Sequence, residues 1–172
     1  MEELNRSSAE DFKNSEKLPV VAVLDNLRSL ANVGSIFRSA DAFAISEIYL
    51  CGFTGTPPNR ELHKAALGAE ESVAWRHFET TALAIDLLRS KGYKVVAIEQ
   101  TNRSVLLNEF QFDINQPIAL VLGNEVMGVD DAVLPLCDAA IEVPQAGSKH
   151  SLNVSVCAGL VFWEVFKKLG RT

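Results

Sequence analysis

Five short stretches of this chain are apolar without alternating: "LPVVAVL" (18–24), "SEIYLCG" (46–52), "YKVVAIE" (93–99), "PIALVLG" (117–123) and "AAIEVP" (139–144). A strand with one face in water shows a polar residue at every second position. A strand covered on both faces does not, and continuous runs of this length, rich in Val, Ile and Leu, mark that case. Between them lie helical patterns. Val33, Ile36, Phe37 and Ala40 recur at helical spacing within 32–43. In 81–92 the inward set reads Leu83, Ile85, Leu87 and Leu88, with Gly92 just past the end as a C-terminal cap signal. A short helix is expected over 130–138, limited by Pro135, and a final one over 151–169. Strands alternating with helices predict the α/β class: a parallel sheet flanked by helices on both faces. Residues 1–17 read as a polar N-terminal arm and 18–172 as one domain. The Gly- and Pro-bearing stretch 52–75 is long for a connection and carries a short helical segment at 60–66; connections of that length are often functional.

Composition narrows the partners. A hydrophobic fraction of 48% supports an ordinary core, and a net charge of −6 argues against a dedicated nucleic-acid binder while permitting a local basic patch. The three cysteines (Cys51, Cys137 and Cys157) are odd in number, form no C-x-x-C and sit among apolar neighbours. That is the usage of reduced thiols in a cytoplasmic protein. His63, His77 and His150 show no ligand spacing with them, so no metal is expected. The first residues contain no apolar signal segment, and no run approaches the ~18 apolar residues of a membrane span. A soluble, cytoplasmic protein is the expectation.

Three segments could carry chemistry. The turn "LGNEVMGVDD" follows the fourth run, where open α/β sheets bind ligands beyond strand carboxyl ends. Gly123 and Gly128 would let a ligand approach the backbone, yet the pattern is neither G-x-G-x-x-G nor a Walker loop. An ordinary turn with Glu125 as a solvated carboxylate fits it as well. In "ANVGSIFRSAD" (31–41), Asn32 can cap the helix that follows. Arg38 is either a side chain reaching to solvent or a fork of donors for an anionic ligand, and spacing alone favours the former. In "IEVPQAGSKHSLNVSV" (141–156), Ser151, Asn153 and Ser155 stand at the head of an apolar helix, where they either cap it or face a ligand. His150 and Ser151 are sequence neighbours, but without a G-x-S-x-G elbow a nucleophilic hydrolase is weakly supported.

The three segments occur together, in this order. "NVGSIFRSADAF" (32–43), "LVLGNEVMGV" (120–129) and "IEVPQAGSKHSLNVSVCAG" (141–159), with "ALGAEESV" (66–73) as connecting segment, resemble the SpoU/TrmH family of SPOUT RNA ribose 2′-O-methyltransferases over about residues 18–169. The resemblance implies a deep C-terminal trefoil knot and an S-adenosylmethionine pocket formed by Gly123, Val143 and Leu152. It implies methyl transfer to a ribose 2′-OH of tRNA or rRNA, with Asn32, Arg38, Glu125, Ser151 and Asn153 as the polar set. Arginine stays protonated, so Arg38 would clamp phosphate and stabilise the developing alkoxide rather than act as a base. It further implies a homodimer through the last helix, with Arg38 able to serve the partner's pocket. Phosphate contacts are expected from Arg28, Arg38, Arg60, Lys64, Arg76 and Lys149. A cofactor-binding but catalytically silent RNA-binding module is the competing reading.

Overall fold

The computed structural model describes residues 15–148 and 151–170. The apolar runs become strands β1 (Leu18–Asp25), β2 (Ile45–Cys51), β4 (Lys94–Ile98), β6 (Ile118–Leu122) and β7 (Ala139–Glu142). Two further strands complete a seven-stranded sheet: β3 (Ala74–Phe78) and β5 (Val105–Leu106), in the order β3-β2-β1-β6-β4-β7-β5. All the pairings are parallel. The sequence did not announce the two additions because both lie at sheet edges. β3 has no buried residue, and β5 is two residues long.

The continuous runs are explained by two cores, one on each face. Val20, Ala22 and Leu24 of β1 join Leu120 and Leu122 of β6 in one core. Val21 and Val23 join Ala119 and Val121 in the other. The first face is covered by helices α1 (Leu30–Ala42), α2 (Arg60–Ala66), α3 (Ala69–Ser72) and α5 (Val154–Leu169), the second by α4 (Thr81–Ser90) and the segment around Val129 and Val133. Helix α2 crosses α1 closely at Gly34, where a Cβ would lie 2.3 Å from the Leu62 carbonyl oxygen.

Four expectations change in detail. Ser29, not Asn32, caps α1: its Oγ accepts the Asn32 N–H at 3.2 Å, which leaves the Asn32 side chain free for other partners. Leu83 of α4 points to solvent, and Ala84, Ile85 and Leu88 pack inward. Within 130–138 only Leu134–Leu136 is helical, as a 3₁₀ turn with Pro135 at its start. Helix α5 begins at Val154, because the Asn153 side chain already accepts from Ser155 and Val156 N–H groups as its cap. The anticipated arm lies, except for its last three residues, outside the described residues.

The C-terminal half has an unusual path. Strand β7 is inserted between β4 and β5, which come earlier in the chain. The connection 99–104 joins those two strands past the carboxyl end of β7: Glu99 N–H donates to Ile141 O at 3.0 Å, and Leu107 N–H to Glu142 O at 2.9 Å. Ser104 Oγ donates to Glu142 Oε2 at 2.7 Å. The chain leaving β7 therefore starts out beside this connection before it reaches α5.

Candidate active site

A cavity of about 610 Å³ lies at the carboxyl ends of β4, β6 and β7. Parallel sheets place ligands at this end, where the βα turns present free backbone groups. Its walls come from three stretches: Ile98–Gln100 after β4, Leu122–Gly128 after β6, and residues of 141–157 after β7. Gly123, Val143 and Leu152 all line it, as do Glu125, Ser151 and Asn153.

Gly123 must be glycine for a packing reason. A Cβ there would stand 2.1 Å from the Gly128 carbonyl carbon and from Val129 N. The turn folds back on itself through Asn124 N–H to Gly128 O at 2.8 Å and Gly128 N–H to Asn124 O at 2.9 Å. Gly128 has φ +72° and lies against Glu99, whose Oε2 accepts the Val129 N–H at 3.0 Å. Asn124 ties the turn to β1 by donating from Nδ2 to Asn26 O at 2.6 Å.

Glu125 is not a solvated carboxylate. Its Oε2 accepts the Arg28 N–H, and its Oε1 accepts the Ser29 N–H and the Asn32 Nδ2–H, each at 2.9 Å. Partial burial alone would raise the carboxyl's pKa. The donors from Arg28, Asn32 and Ser29 outweigh it and hold the group below the ordinary carboxylate value. Asn32 passes the linkage on: its Oδ1 accepts Asn153 Nδ2–H at 3.1 Å. Asn153 Oδ1 in turn accepts Ser155 N–H at 2.9 Å and Ser155 Oγ–H at 2.7 Å. One chain of hydrogen bonds thus joins the turn after β6, the start of α1 and the start of α5. Glu125 and Asn153 line the cavity, and Asn32, which does not, bridges them.

Arg38 is not brought to this cavity within the chain. It projects exposed from α1 and makes no hydrogen bond or ion pair among the described residues. Arg28 contributes its backbone N–H, and its residue is exposed. Arg60 and Lys64 are exposed on α2. Arg76 departs from the expectation of a free basic group: its guanidinium is held by Glu47 through bonds of 2.6 and 3.0 Å on the outer strand pair. Lys149 and His150 lie outside the described residues.

Sequence reasoning did not assign Glu99, Glu142 or Cys157 to the site, yet all three line the cavity. Glu99 directly follows a strand at the carboxyl edge of a parallel sheet, and that position was the available signal. With Glu125, these carboxylates face a cavity lined by no Lys or Arg among the described residues. Burial, and secondarily Glu99, push the Cys157 thiol up to about 11, so it stays protonated and is no nucleophile. All three cysteines are free.

Fold and site together define a doubly covered parallel α/β domain with a cavity at the carboxyl ends of three neighbouring strands, organised by backbone turns rather than by a catalytic triad. The chain belongs to the SpoU rRNA Methylase family, whose profile it matches over residues 19–163. It is 32% identical over 156 residues to a Staphylococcus saprophyticus protein assigned to the TrmH family of tRNA/rRNA methyltransferases, an alignment that covers 91% of this chain and 61% of that protein. The chain thus spans about three-fifths of the length of such relatives. Among solved structures, an AdoMet-bound rRNA methyltransferase from Sinorhizobium meliloti superposes with a TM-score of 0.83 at 28% identity, over 93% of this chain and 61% of that one. A structure described for 2-OH methylation of C/U34 on tRNA superposes at 0.77 with 25% identity, over 88% of this chain and 97% of that one. Among the described residues, no helix is long and apolar enough to cross a membrane.

Proposed function

We propose that the protein is an S-adenosylmethionine-dependent methyltransferase acting on a ribose 2′-OH of tRNA or rRNA. The observation that carries this reading is the convergence of Glu125, Asn32 and Asn153 in one hydrogen-bond chain beside a cavity walled by Gly123, Val143 and Leu152. The relatives' activities and the AdoMet-bound neighbour support it.

The residues fit the cofactor. Backbone groups of the turns can read an adenine edge, and Val143 and Leu152 offer aliphatic contact. Glu99, Glu125 and Glu142 make the field negative, which suits a cationic sulfonium. Bound there, S-adenosylmethionine supplies an electrophilic methyl group. The protein's own contribution is orientation and charge stabilisation. Glu125 holds the first turn of α1, Asn32 and Asn153 lock the entry to α5, and Ser151 stands exposed at the cavity rim for the ribose. Arg38 clamps the RNA phosphate and stabilises the alkoxide.

Arg38 acts across a homodimer. Val156, Leu160 and Trp163 are 53%, 43% and 47% exposed and recur at i, i+4 and i+7 on α5, opposite the face of Val161, Phe162 and Val165 that packs in the core. Such a stripe asks for a partner. Ser39, next to Arg38, lies against Gly159 of α5, which supports a place for Arg38 near this seam. The insertion of β7 between β4 and β5 supports a trefoil knot that holds Val143, Gln145, Gly147 and Ser151–Asn153 over the cavity. Arg28, Arg60 and Lys64, with Lys149, contribute phosphate contacts, and the protein works in the cytoplasm. The test is methyl transfer from labelled cofactor to RNA lacking the modification, with the product mapped. Cofactor binding without transfer would favour the silent RNA-binding module instead.

A further inference from the structure

We propose that His63, Glu70 and Glu71 form a binding site for a divalent transition-metal ion, Zn²⁺ by its ligand chemistry, that clips α2 to α3. The site shares no lining residue with the cofactor cavity and does not depend on the methyl-transfer reading.

One donor atom from each of the three side chains lies within 4.8 Å of the others. The residues border a separate hollow of about 460 Å³, together with Pro57, Pro58, Arg60 and Trp75. The decisive group is Glu70. Its side chain is only 7% exposed, its Oε1 rests on His63 Nδ1, and its Oε2 has no hydrogen-bond partner among the described residues. A desolvated carboxylate oxygen without a donor is costly, and Arg60, although it lines the hollow, makes no ion pair there among the described residues. A cation in the hollow would satisfy Oε2 and take the place of the proton shared with His63. One imidazole and two carboxylates suit Zn²⁺ and its first-row neighbours; Ca²⁺ and Mg²⁺ prefer all-oxygen sets.

Bonds of ~2.0–2.2 Å put tetrahedral ligand atoms roughly 3.4 Å apart. Reaching that spacing means parting His63 Nδ1 from Glu70 Oε1 and drawing Glu71 in, and both His63, which is 60% exposed, and Glu71 are on the surface and open to rotation. Because His63 sits on α2 and both glutamates on α3, the ion would fasten the Leu67–Gly68 turn between them. Spacing to cysteines gave no hint of such a site, because its ligands are carboxylates brought together by that turn.

The test uses the full chain, stripped with a chelator and titrated calorimetrically with ZnCl₂, with Co²⁺ as a spectroscopic substitute. One equivalent should bind, and the Co²⁺ form should show visible ligand-field bands without the strong sulfur-to-metal charge transfer of cysteine ligation. His63→Ala and Glu70→Gln should each weaken binding by at least about tenfold, and Glu71→Gln, a surface change that spares the fold, should weaken it as well. Affinity for S-adenosylmethionine should be unchanged in all three. No binding by the wild-type chain at sub-millimolar Zn²⁺, undiminished binding by Glu71→Gln and His63→Ala, or a thiolate signature would overturn the proposal.

Discussion

Replacing Glu125 with Gln tests the joint on which the site is built. The carboxylate accepts three hydrogen bonds at 2.9 Å, two on Oε1 and one on Oε2. In the better rotamer the amide oxygen keeps the Ser29 and Asn32 donors, while the new NH₂ faces the Arg28 N–H, donor against donor. Hydrogen bonds to charged groups contribute about 1.5–3 kcal/mol and neutral ones about 0.5–1.5. Two bonds are therefore weakened and one is lost. Partial exposure returns some of that to water, and the net loss should be about 2 kcal/mol. With an m-value of about 2 kcal/mol/M, the urea midpoint should fall by about 1 M at unchanged m. Acid should erase the difference. The folded carboxyl titrates below its unfolded value of about 4.3, so its stabilisation is complete above that pH and disappears as pH falls through the depressed folded value. Urea titrations of both proteins at neutral pH and in acid measure this directly. A midpoint shift under about 0.2 M at neutral pH, or a shift that persists undiminished in acid, would refute the reasoning.

Further consequences can be measured separately. Gly123→Ala drives a Cβ to 2.1 Å from backbone atoms of Gly128 and Val129, so calorimetry should find cofactor binding abolished. Gly34→Ala presses on the Leu62 carbonyl at 2.3 Å and should lower stability by about 1–3 kcal/mol, with cofactor affinity retained in the fraction that folds. Asn153→Ala removes the α5 cap and the link to Asn32, and should cost about 1 kcal/mol in chemical denaturation. Leu160→Glu, placed on the exposed stripe, should give a monomer in sedimentation equilibrium.

The sheet was legible because burial on both faces writes itself into a strand as an unbroken apolar run; β1 and β6 fill two cores at alternate residues. Edge strands escape that rule. The Ala74–Phe78 strand is exposed and half-polar, and nothing in its composition separates it from a loop. The site was legible differently. No periodicity says that Glu125 will meet Asn32, 93 residues earlier in the chain. Ordered motifs suggested the grouping, and the hydrogen bonds now give it a physical form. Local chemistry misread Asn32 as a cap, because the helix starts one turn earlier, with Ser29 accepting the Asn32 N–H, and leaves the Asn32 amide for Glu125 and Asn153. The exposed face of α5 was visible as surplus apolar residues, and no group among the described residues covers it.

The central claim is methyl transfer to a ribose hydroxyl by a site completed by Arg38. The most direct measurement is incubation of the protein and Arg38→Ala with labelled S-adenosylmethionine and unmodified tRNA and rRNA, followed by nucleoside analysis of the product. The account predicts a 2′-O-methylated nucleoside with the wild-type protein, and none with Arg38→Ala although it binds the cofactor normally. A methylated base, no transfer despite cofactor binding, or undiminished methylation by Arg38→Ala would contradict it.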